Sequence, residues 1–212
     1  GRQFESFTTA DGLGYKGVRA ITQDREGRIW LGAQHGQTGI SRWDGKRFEV
    51  LNAASGLPVN SIRALLCTRE GEIWMGHSPG GATRWDGRAF THFTPADGLG
   101  SSWNDSLCQD ADGVIWFGHS RSVSLFDGSA WTTLGPNEGV ADLESTSTWV
   151  IHQTHDGTVW IGTSTGLYRY QKSRPLTRRP TLTVTADRAY TDPAALPEGQ
   201  ALPLELSGGE QQ

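Results

Sequence analysis

The stretch Glu26-Gly27-Arg28-Ile29-Trp30-Leu31-Gly32 decides the fold, because its pattern occurs three more times along the chain. In each copy an acidic residue and a glycine precede a Trp-x-Gly triplet, and the tryptophans are 44, 42 and 44 residues apart. The four tryptophans are Trp30, Trp74, Trp116 and Trp160. The acid–glycine pairs are Glu26-Gly27, Glu70-Gly71, Asp112-Gly113 and Asp156-Gly157. Repetition in register at this period indicates an array of equivalent structural units.

Each unit carries the signals of a small antiparallel sheet. The acid–glycine pairs, and the Asp-Gly pairs that follow the first three triplets, predict hairpin turns, because glycine accepts the positive φ of a tight turn. Between the turns lie runs such as Ile29-Trp30-Leu31, which are apolar at consecutive positions and predict a strand covered on both faces. A sheet that packs against a neighbour on each side is a blade of a β-propeller.

Counting strands predicts an all-β fold, a β-propeller of four four-stranded antiparallel blades. The blades are assigned to residues of about 1–46, 47–88, 89–129 and 130–173. Strand one is expected at 18–23, Ile62–Cys67, Asn104–Gln109 and Thr148–Gln153. The fourth blade ends after its third strand, and residues 4–7 match a fourth strand, so an N-terminal strand is expected to complete the last blade and close the ring. The alternative is that the four blades are a fragment of a larger propeller.

Composition excludes several classes of protein. Glycine is 28 of 212 residues, nearly twice the usual share of roughly 7%, and there are nine tryptophans. The formal net charge is −4 without a basic stripe, so no nucleic-acid partner is expected. No apolar run approaches the ~18 residues of a membrane span. Cys67 and Cys108 lack the CxxC spacing of a zinc site, and they are either free thiols or one disulfide.

The repeat resembles a known family. Residues 7–13, Phe-Thr-Thr-Ala-Asp-Gly-Leu, and the spacing of Asp24, Gly27 and Ile29-Trp30-Leu31-Gly32 resemble the two-component regulator propeller repeat. Residues 160–170, Trp-Ile-Gly-Thr-Ser-Thr-Gly-Leu-Tyr-Arg-Tyr, are an even closer match. The resemblance implies a periplasmic or extracellular sensory propeller of the kind found in bacterial hybrid sensor histidine kinases, with a role in ligand sensing.

Residues 174–212 break the repeat. Residues 174–180 contain Arg174-Pro175 and Arg178-Arg179-Pro180 and are interpreted as a linker, because proline does not donate to a strand ladder. Residues 181–186 alternate threonine with apolar side chains and predict a strand, and 201–206 predict a weaker one. Residues 181–212 resemble the first half of the immunoglobulin-like Y_Y_Y domain that follows such propellers.

Candidate binding residues are those that break the repeat on the face of the crossover loops. The crossover loops contribute Tyr15, Lys16, Asn60 and Trp103. The second position of strand one contributes Arg19, Arg63, Asp105 and Trp149, which should surround the mouth of the central funnel. Arginine suits carboxylate or sulfate groups, and an indole offers an apolar face with a donor at its edge. The alternative is an Arg63–Asp105 ion pair between neighbouring blades and two packed tryptophans.

The leading functional hypothesis is a non-catalytic sensory propeller that binds a small molecule or an oligosaccharide, with an anion favoured. No cofactor is expected, and a homodimer is left open. An enzyme that cleaves glycans as a lyase or hydrolase is the runner-up, for which Asp105, Asp142 and Glu144 are the available acids. A protein-interaction scaffold is the third. His77 and His119 follow the Trp-x-Gly triplet, but only His35 could be a third metal ligand, so no metal site is predicted.

Overall fold

A computed structural model describes residues 3–33, 38–135 and 147–171. Its strands form four sheets, which we call blades 1 to 4. Blade 1 consists of β1 (Ala20–Gln23), β2 (Ile29–Gly32), β3 (Ile40–Trp43) and β4 (Phe48–Leu51). Blade 2 consists of β5 (Ile62–Cys67), β6 (Ile73–His77), β7 (Ala82–Trp85) and β8 (Phe90–Phe93). Blade 3 consists of β9 (Asn104–Gln109), β10 (Ile115–His119), β11 (Val123–Phe126) and β12 (Trp131–Leu134). Blade 4 consists of β13 (Thr148–Gln153), β14 (Val159–Thr163) and β15 (Leu167–Tyr170).

Each blade is an antiparallel meander in sequence order, as the repeat predicts. The hairpin turns need glycine because they contain a residue with positive φ: Gly27, for example, has φ +83° and Gly45 has φ +95°. Asp44 fixes the second kind of turn, because its Oδ1 accepts the backbone N–H groups of Lys46 at 2.8 Å and Arg47 at 2.9 Å. Short hairpins of this kind keep consecutive strands adjacent, so the strand bounds agree with the sequence except that β1 begins at Ala20.

The blades pack side by side through their tryptophans. Trp30, Trp74 and Trp116 are completely buried, and the innermost strands β1, β5, β9 and β13 pack in a row. Each indole N–H of these three is also satisfied: the Trp30 indole donates to Asp24 Oδ2 at 2.7 Å, and the Trp116 indole donates to Asp110 Oδ2 at 2.9 Å. In blade 2 the equivalent acceptor is replaced by Thr68, and Trp74 donates to Glu72 instead, at 3.1 Å.

Strand-two glycines set the spacing between blades. A Cβ built at Gly118 would lie 2.6 Å from Thr148 Cγ2 in blade 4, and one at Gly32 would lie 2.5 Å from Ile62 Cγ2 in blade 2. No side chain fits in that space, so the backbone of strand two contacts the next blade directly.

A glutamine at the end of strand one links each of two blades to the turn of the preceding one. Gln109 Oε1 accepts the backbone N–H of Arg69 at 2.8 Å, and Gln153 Oε1 accepts that of Ala111 at 2.7 Å. The Nε2 of Gln153 donates to Gly157 O within its own blade at 3.0 Å. We call this arrangement the glutamine clasp. At the junction between blades 1 and 2 the equivalent residue is Cys67.

The N-terminal segment differs from the prediction. Residues 4–7 form no strand and do not pair with β15, so blade 4 has three strands among the described residues. Phe4 is fully exposed, whereas the Phe7 ring packs against Trp43 at 4.9 Å and Phe48 at 5.5 Å between ring centroids, on blade 1. The segment therefore does not complete blade 4. The contact of Phe7 with Trp43 closes a loop of 36 residues, which is far shorter than the loop of about 160 residues that pairing with β15 would close.

The predicted linker at 174–180 and the immunoglobulin-like segment at 181–212 lie outside the described residues. Within the described ranges, no helix has the length and apolar character needed to cross a bilayer.

Candidate functional site

The candidate residues lie where strand one begins, beside the loops that connect strands two and three. These loops and the crossovers share a face: the backbone N–H groups of Gly80 and Gly81 both donate to Ser102 O at 2.9 Å, and Ser120 bridges to Ser147. The hairpin turns lie at the other ends of the same strands. This arrangement is the one that the strand order predicts.

Arg63 and Asp105 form an ion pair across the junction between blades 2 and 3. Arg63 Nη1 lies 2.9 Å from Asp105 Oδ1, and it also donates to Ser78 Oγ at 3.0 Å. The approach to Asp105 is an ion contact rather than an aligned hydrogen bond, because Asp105 Oδ1 has no hydrogen-bond partner. The alternative interpretation of the sequence, an ion pair between neighbouring blades, is therefore confirmed for this pair.

The negative charge of Asp105 is exceeded by the positive charges of the arginines that act on it. Burial raises the pKa of the Asp105 carboxyl above its usual value, and the positive charges of Arg63 and Arg19 oppose that rise only in part. Arg19 is exposed at the start of strand one in blade 1, while its backbone N–H donates to Gly32 O at 2.7 Å. Two cations thus act on one carboxylate, and the Nε of Arg63 is buried without a hydrogen-bond partner.

The two tryptophans of the site are exposed instead of packed. Trp103 is 45% exposed and Trp149 is 63% exposed, and neither ring takes part in an aromatic or cation–π contact within the described part of the chain. The interpretation of these side chains as packed between blades is wrong. Both present free indole faces on blades 3 and 4.

The remaining candidates are less closely joined. Tyr15 is half-buried beside Gly17, Lys16 is exposed, and Asn60 is half-buried in the crossover before blade 2. The structure joins Arg63 to Asp105 by an ion pair, and the positive charge of Arg19 also acts on the Asp105 carboxyl. The other five candidates lie on the same face of the blades. Ser78 was not predicted, although its position directly after His77 at the end of strand two would have suggested it.

His77 and His119 have a structural role. The ring nitrogens of His77 lie 2.9 Å from Ser61 O and 2.7 Å from Thr83 Oγ1, and those of His119 lie 3.3 Å from Trp103 O and 2.8 Å from Ser124 Oγ. Burial lowers the pKa of both imidazoles to about 4. Each neutral ring connects strand two and strand three of its blade to the crossover loop. Among the residues that the structure describes, no group of three metal-binding side chains occurs.

The fold defines a repeat protein of the β-propeller class. The model of the family described as two component regulator propeller matches residues 12–35, 56–78, 97–121 and 142–165, one segment in each blade. The chain belongs to this family, as the sequence resemblance implied.

Solved structures agree with the fold. The chain is similar to the extracellular domain of a protein assigned to the hybrid two-component systems of B. thetaiotaomicron, with 21% identity and a TM-score of 0.68 over 78% of this chain and 23% of that one. A second extracellular domain from B. thetaiotaomicron, assigned to a one-component system, matches at 20% identity and TM-score 0.63, over 81% of this chain and 22% of that one. Virginiamycin B lyase from Staphylococcus aureus matches at 18% identity and TM-score 0.60, over 76% of this chain and 54% of that one.

The chain thus spans under a quarter of the length of the two B. thetaiotaomicron domains. Identities of this size establish a common fold. The comparison with curated proteins found no match.

Proposed function

We propose that the chain is a non-catalytic, periplasmic or extracellular sensory propeller, and that an anionic small molecule or oligosaccharide binds at the mouth formed by Arg19, Arg63, Trp103, Asp105 and Trp149. The family and the extracellular position of its structural relatives support the sensory role. Tyr15, Lys16 and Asn60 form the outer part of the proposed site.

One observation carries this proposal: Arg63 forms an ion pair with Asp105, and the positive charge of Arg19, at the equivalent position of blade 1, also acts on that carboxyl. The three groups sum to one positive charge. An exposed guanidinium such as that of Arg19 offers a planar set of donors to a carboxylate or sulfate.

The exposed tryptophans extend the argument to sugars. A free indole face packs on the apolar face of a sugar ring, and its N–H can donate to a hydroxyl. Trp103 and Trp149 each keep such a face exposed. We therefore favour a sulfated or carboxylated saccharide over an inorganic anion.

The described part of the site gives less support to the alternative function, an enzyme that cleaves glycans. General acid–base catalysis of glycan cleavage needs two groups directed at a substrate. Asp105 is engaged with Arg63, while Asp142 and Glu144 lie outside the described residues. The similarity to virginiamycin B lyase concerns the fold and brings no catalytic residue with it.

Calorimetric titration with a sulfated disaccharide and its unsulfated counterpart tests the proposal. Arg19→Ala should weaken binding of the sulfated sugar at least tenfold, because it removes a guanidinium that would bind the sulfate. The side chain is exposed, so its removal leaves no buried charge and the fold should be unaffected. Lys46→Ala is the matched control, since it removes an exposed cation from a hairpin turn at the opposite end of the blade. Attraction between exposed charges should also weaken with salt, on the scale of a Debye length of ~8 Å at physiological ionic strength.

Asp105→Asn should change the affinity for the sulfated sugar in the opposite direction. Removing the carboxylate charge frees Arg63 and raises the net charge of the trio, so affinity for the sulfated sugar should increase. Protonation of Asp105 removes the same charge, so the affinity of the wild type should increase as the pH falls. Because burial raises the pKa of Asp105 above its ordinary value of 3.8, this increase should begin at a higher pH than for an exposed aspartate. Equal affinities for Arg19→Ala and Lys46→Ala, or weaker binding by Asp105→Asn, would contradict the proposal.

A further inference from the structure

Trp103 combines an exposed side chain with a backbone that is held on both sides. Its N–H donates to Ser101 Oγ at 3.1 Å, and its carbonyl oxygen lies 3.3 Å from Nδ1 of the completely buried His119. The carbonyl of Ser102, next to it, accepts two backbone N–H groups from the loop between β6 and β7 of blade 2, each at 2.9 Å. The crossover loop is thus attached both to its own blade and to the preceding one, so only side-chain rotation is left to the indole.

The contact with a carbonyl determines which nitrogen of His119 carries the hydrogen. A carbonyl oxygen can only accept, so Nδ1 donates to Trp103 O, and Nε2 of the neutral ring is the acceptor. It accepts from Ser124 Oγ on β11 at 2.8 Å, and the same Oγ accepts the backbone N–H of Gly100 at 2.9 Å. Burial lowers the pKa of His119 to about 4, so the ring stays neutral near pH 7 and keeps both roles. The imidazole therefore links strand three to the backbone of Trp103.

A blade does not need this histidine in order to form. The residue after the strand-two glycine is a histidine in two of the four blades, and the four residues are Ala33, His77, His119 and Thr163. His77 makes the same contact with Ser61 O, at 2.9 Å, but the residue that it holds is a serine. His119 is therefore the one of the two whose carbonyl partner carries an exposed aromatic side chain.

We propose that His119 is a positioning residue of the candidate site: its Nδ1–H holds the backbone of Trp103 so that the exposed indole is directed to the apolar face of a bound sugar ring. The sugar in this inference rests on the proposed function, whereas the hold on Trp103 is a property of the chain without ligand. An aromatic side chain on a fixed backbone loses less conformational freedom on binding, which favours affinity.

Two variants separate the two hydrogen bonds of the ring. The amide N–H of asparagine lies near the position of Nδ1, and the amide oxygen of glutamine reaches that of Nε2. His119→Asn therefore keeps the donor to Trp103 O and loses the acceptor for Ser124, while His119→Gln does the reverse. Each variant loses one hydrogen bond of a buried ring, so the two should destabilise the fold similarly, and they differ in the hold on Trp103.

Fluorine NMR of the chain labelled with 5-fluorotryptophan measures that hold without any ligand. Trp103→Phe assigns the Trp103 signal, and Trp149→Phe assigns that of a second exposed tryptophan as the reference. His119→Gln should shift the Trp103 signal towards that of free 5-fluorotryptophan and leave the Trp149 signal in place, whereas His119→Asn should leave both in place. Ser101→Ala removes the other contact of the Trp103 backbone without disturbing the buried ring, and it should shift the same signal.

Calorimetric titration of the same variants with the sulfated disaccharide tests the role in binding. His119→Gln should bind about threefold to tenfold more weakly than His119→Asn, because the indole must then be immobilised when the sugar binds. A Trp103 signal that is unchanged in His119→Gln, equal shifts in the two His119 variants, or equal affinities of these variants would overturn the inference. A wild-type chain that does not bind the disaccharide would overturn the proposed function, while the shift of the Trp103 signal would still establish that His119 holds this residue.

Discussion

Acidification from pH 8 to pH 5 should destabilise the propeller through two buried histidines, His77 and His119. Burial is the main cause that lowers the pKa of each ring to about 4; the carbonyls of Ser61 and Trp103 oppose it, and the charge of His92 adds to it at His77. In the unfolded chain an imidazole titrates near 6.5. The unfolded state therefore binds more protons between these values, so stability is fully present above pH 6.5 and is lost as pH falls towards 4.

The size of the effect follows from the difference in pKa. At pH 5 an unfolded histidine is protonated, whereas a folded one with a pKa of about 4 is still mainly neutral. Each residue then costs about 2 kcal/mol relative to pH 8, and the pair costs about 4 kcal/mol. The turn aspartates do not obscure this window. Backbone N–H donors lower the pKa of Asp44 and Asp86, so the stability they supply is present above 3.8 and lost only below it.

Urea unfolding followed by tryptophan fluorescence at pH 8, 7, 6 and 5 measures this loss. His119→Gln removes one of the two rings, so the fall in the free energy of unfolding between pH 8 and pH 5 should be about half as large, whatever the variant costs at pH 8. His155→Gln replaces an exposed histidine and should leave that fall unchanged. A free energy of unfolding that stays constant between pH 7 and pH 5, or an equal change in both variants, would refute the reasoning.

Two further predictions concern packing between the blades. Trp116→Ala removes a completely buried side chain and should lower the free energy of unfolding by roughly 3–5 kcal/mol; an effect as small as that of the exposed Trp103→Ala would contradict the inward register. Gly118→Ala places a Cβ 2.6 Å from Thr148 Cγ2 and should cost about 1–3 kcal/mol in thermal unfolding, with substantial recovery in the Gly118→Ala/Thr148→Ser double variant if the clash is the cause.

The sequence predicts the blades accurately because its signals are local. Glycines such as Gly27 and Gly45 define the ends of hairpins only a few residues long, and the run Ile29-Trp30-Leu31 marks a strand with two buried faces. The strands from Ile62–Cys67 onward therefore have the predicted bounds. The register of the tryptophans follows from the same turns.

The N-terminal strand was predicted wrongly because periodicity identifies a kind of segment and not its partner. Residues 4–7 have the pattern of a fourth strand, but pairing them with β15 would bring together segments about 160 residues apart in sequence, at the cost of loop closure. Phe7 instead packs on Trp43 and Phe48, which are 36 and 41 residues away in sequence, so the loop that this contact closes is much shorter. No sequence signal distinguishes these two outcomes.

At the site, the sequence predicts the ion pair but not the exposure of the tryptophans. Arg63 and Asp105 occupy equivalent positions in consecutive blades, so their proximity follows from the repeat. Whether Trp103 packs or protrudes depends on the path of a crossover loop, which no periodic pattern describes. Asp24 was part of the repeat motif. Its role as an acceptor for an indole six residues later, which the equivalent Asp110 shares, becomes clear only once the turn places the two side chains together.

The replacement of one glutamine by Cys67 makes the array mechanically uneven. Gln109 and Gln153 fasten blades 2, 3 and 4 to one another turn by turn, whereas Cys67 turns its Sγ towards Thr68 O of its own blade. In a linear array each unit is held by its immediate neighbours, so a weaker contact is where separation begins. A pulling force, or the first opening fluctuation, would therefore divide the propeller into blade 1 and a unit of three blades, with the break passing beside Arg19 and Arg63.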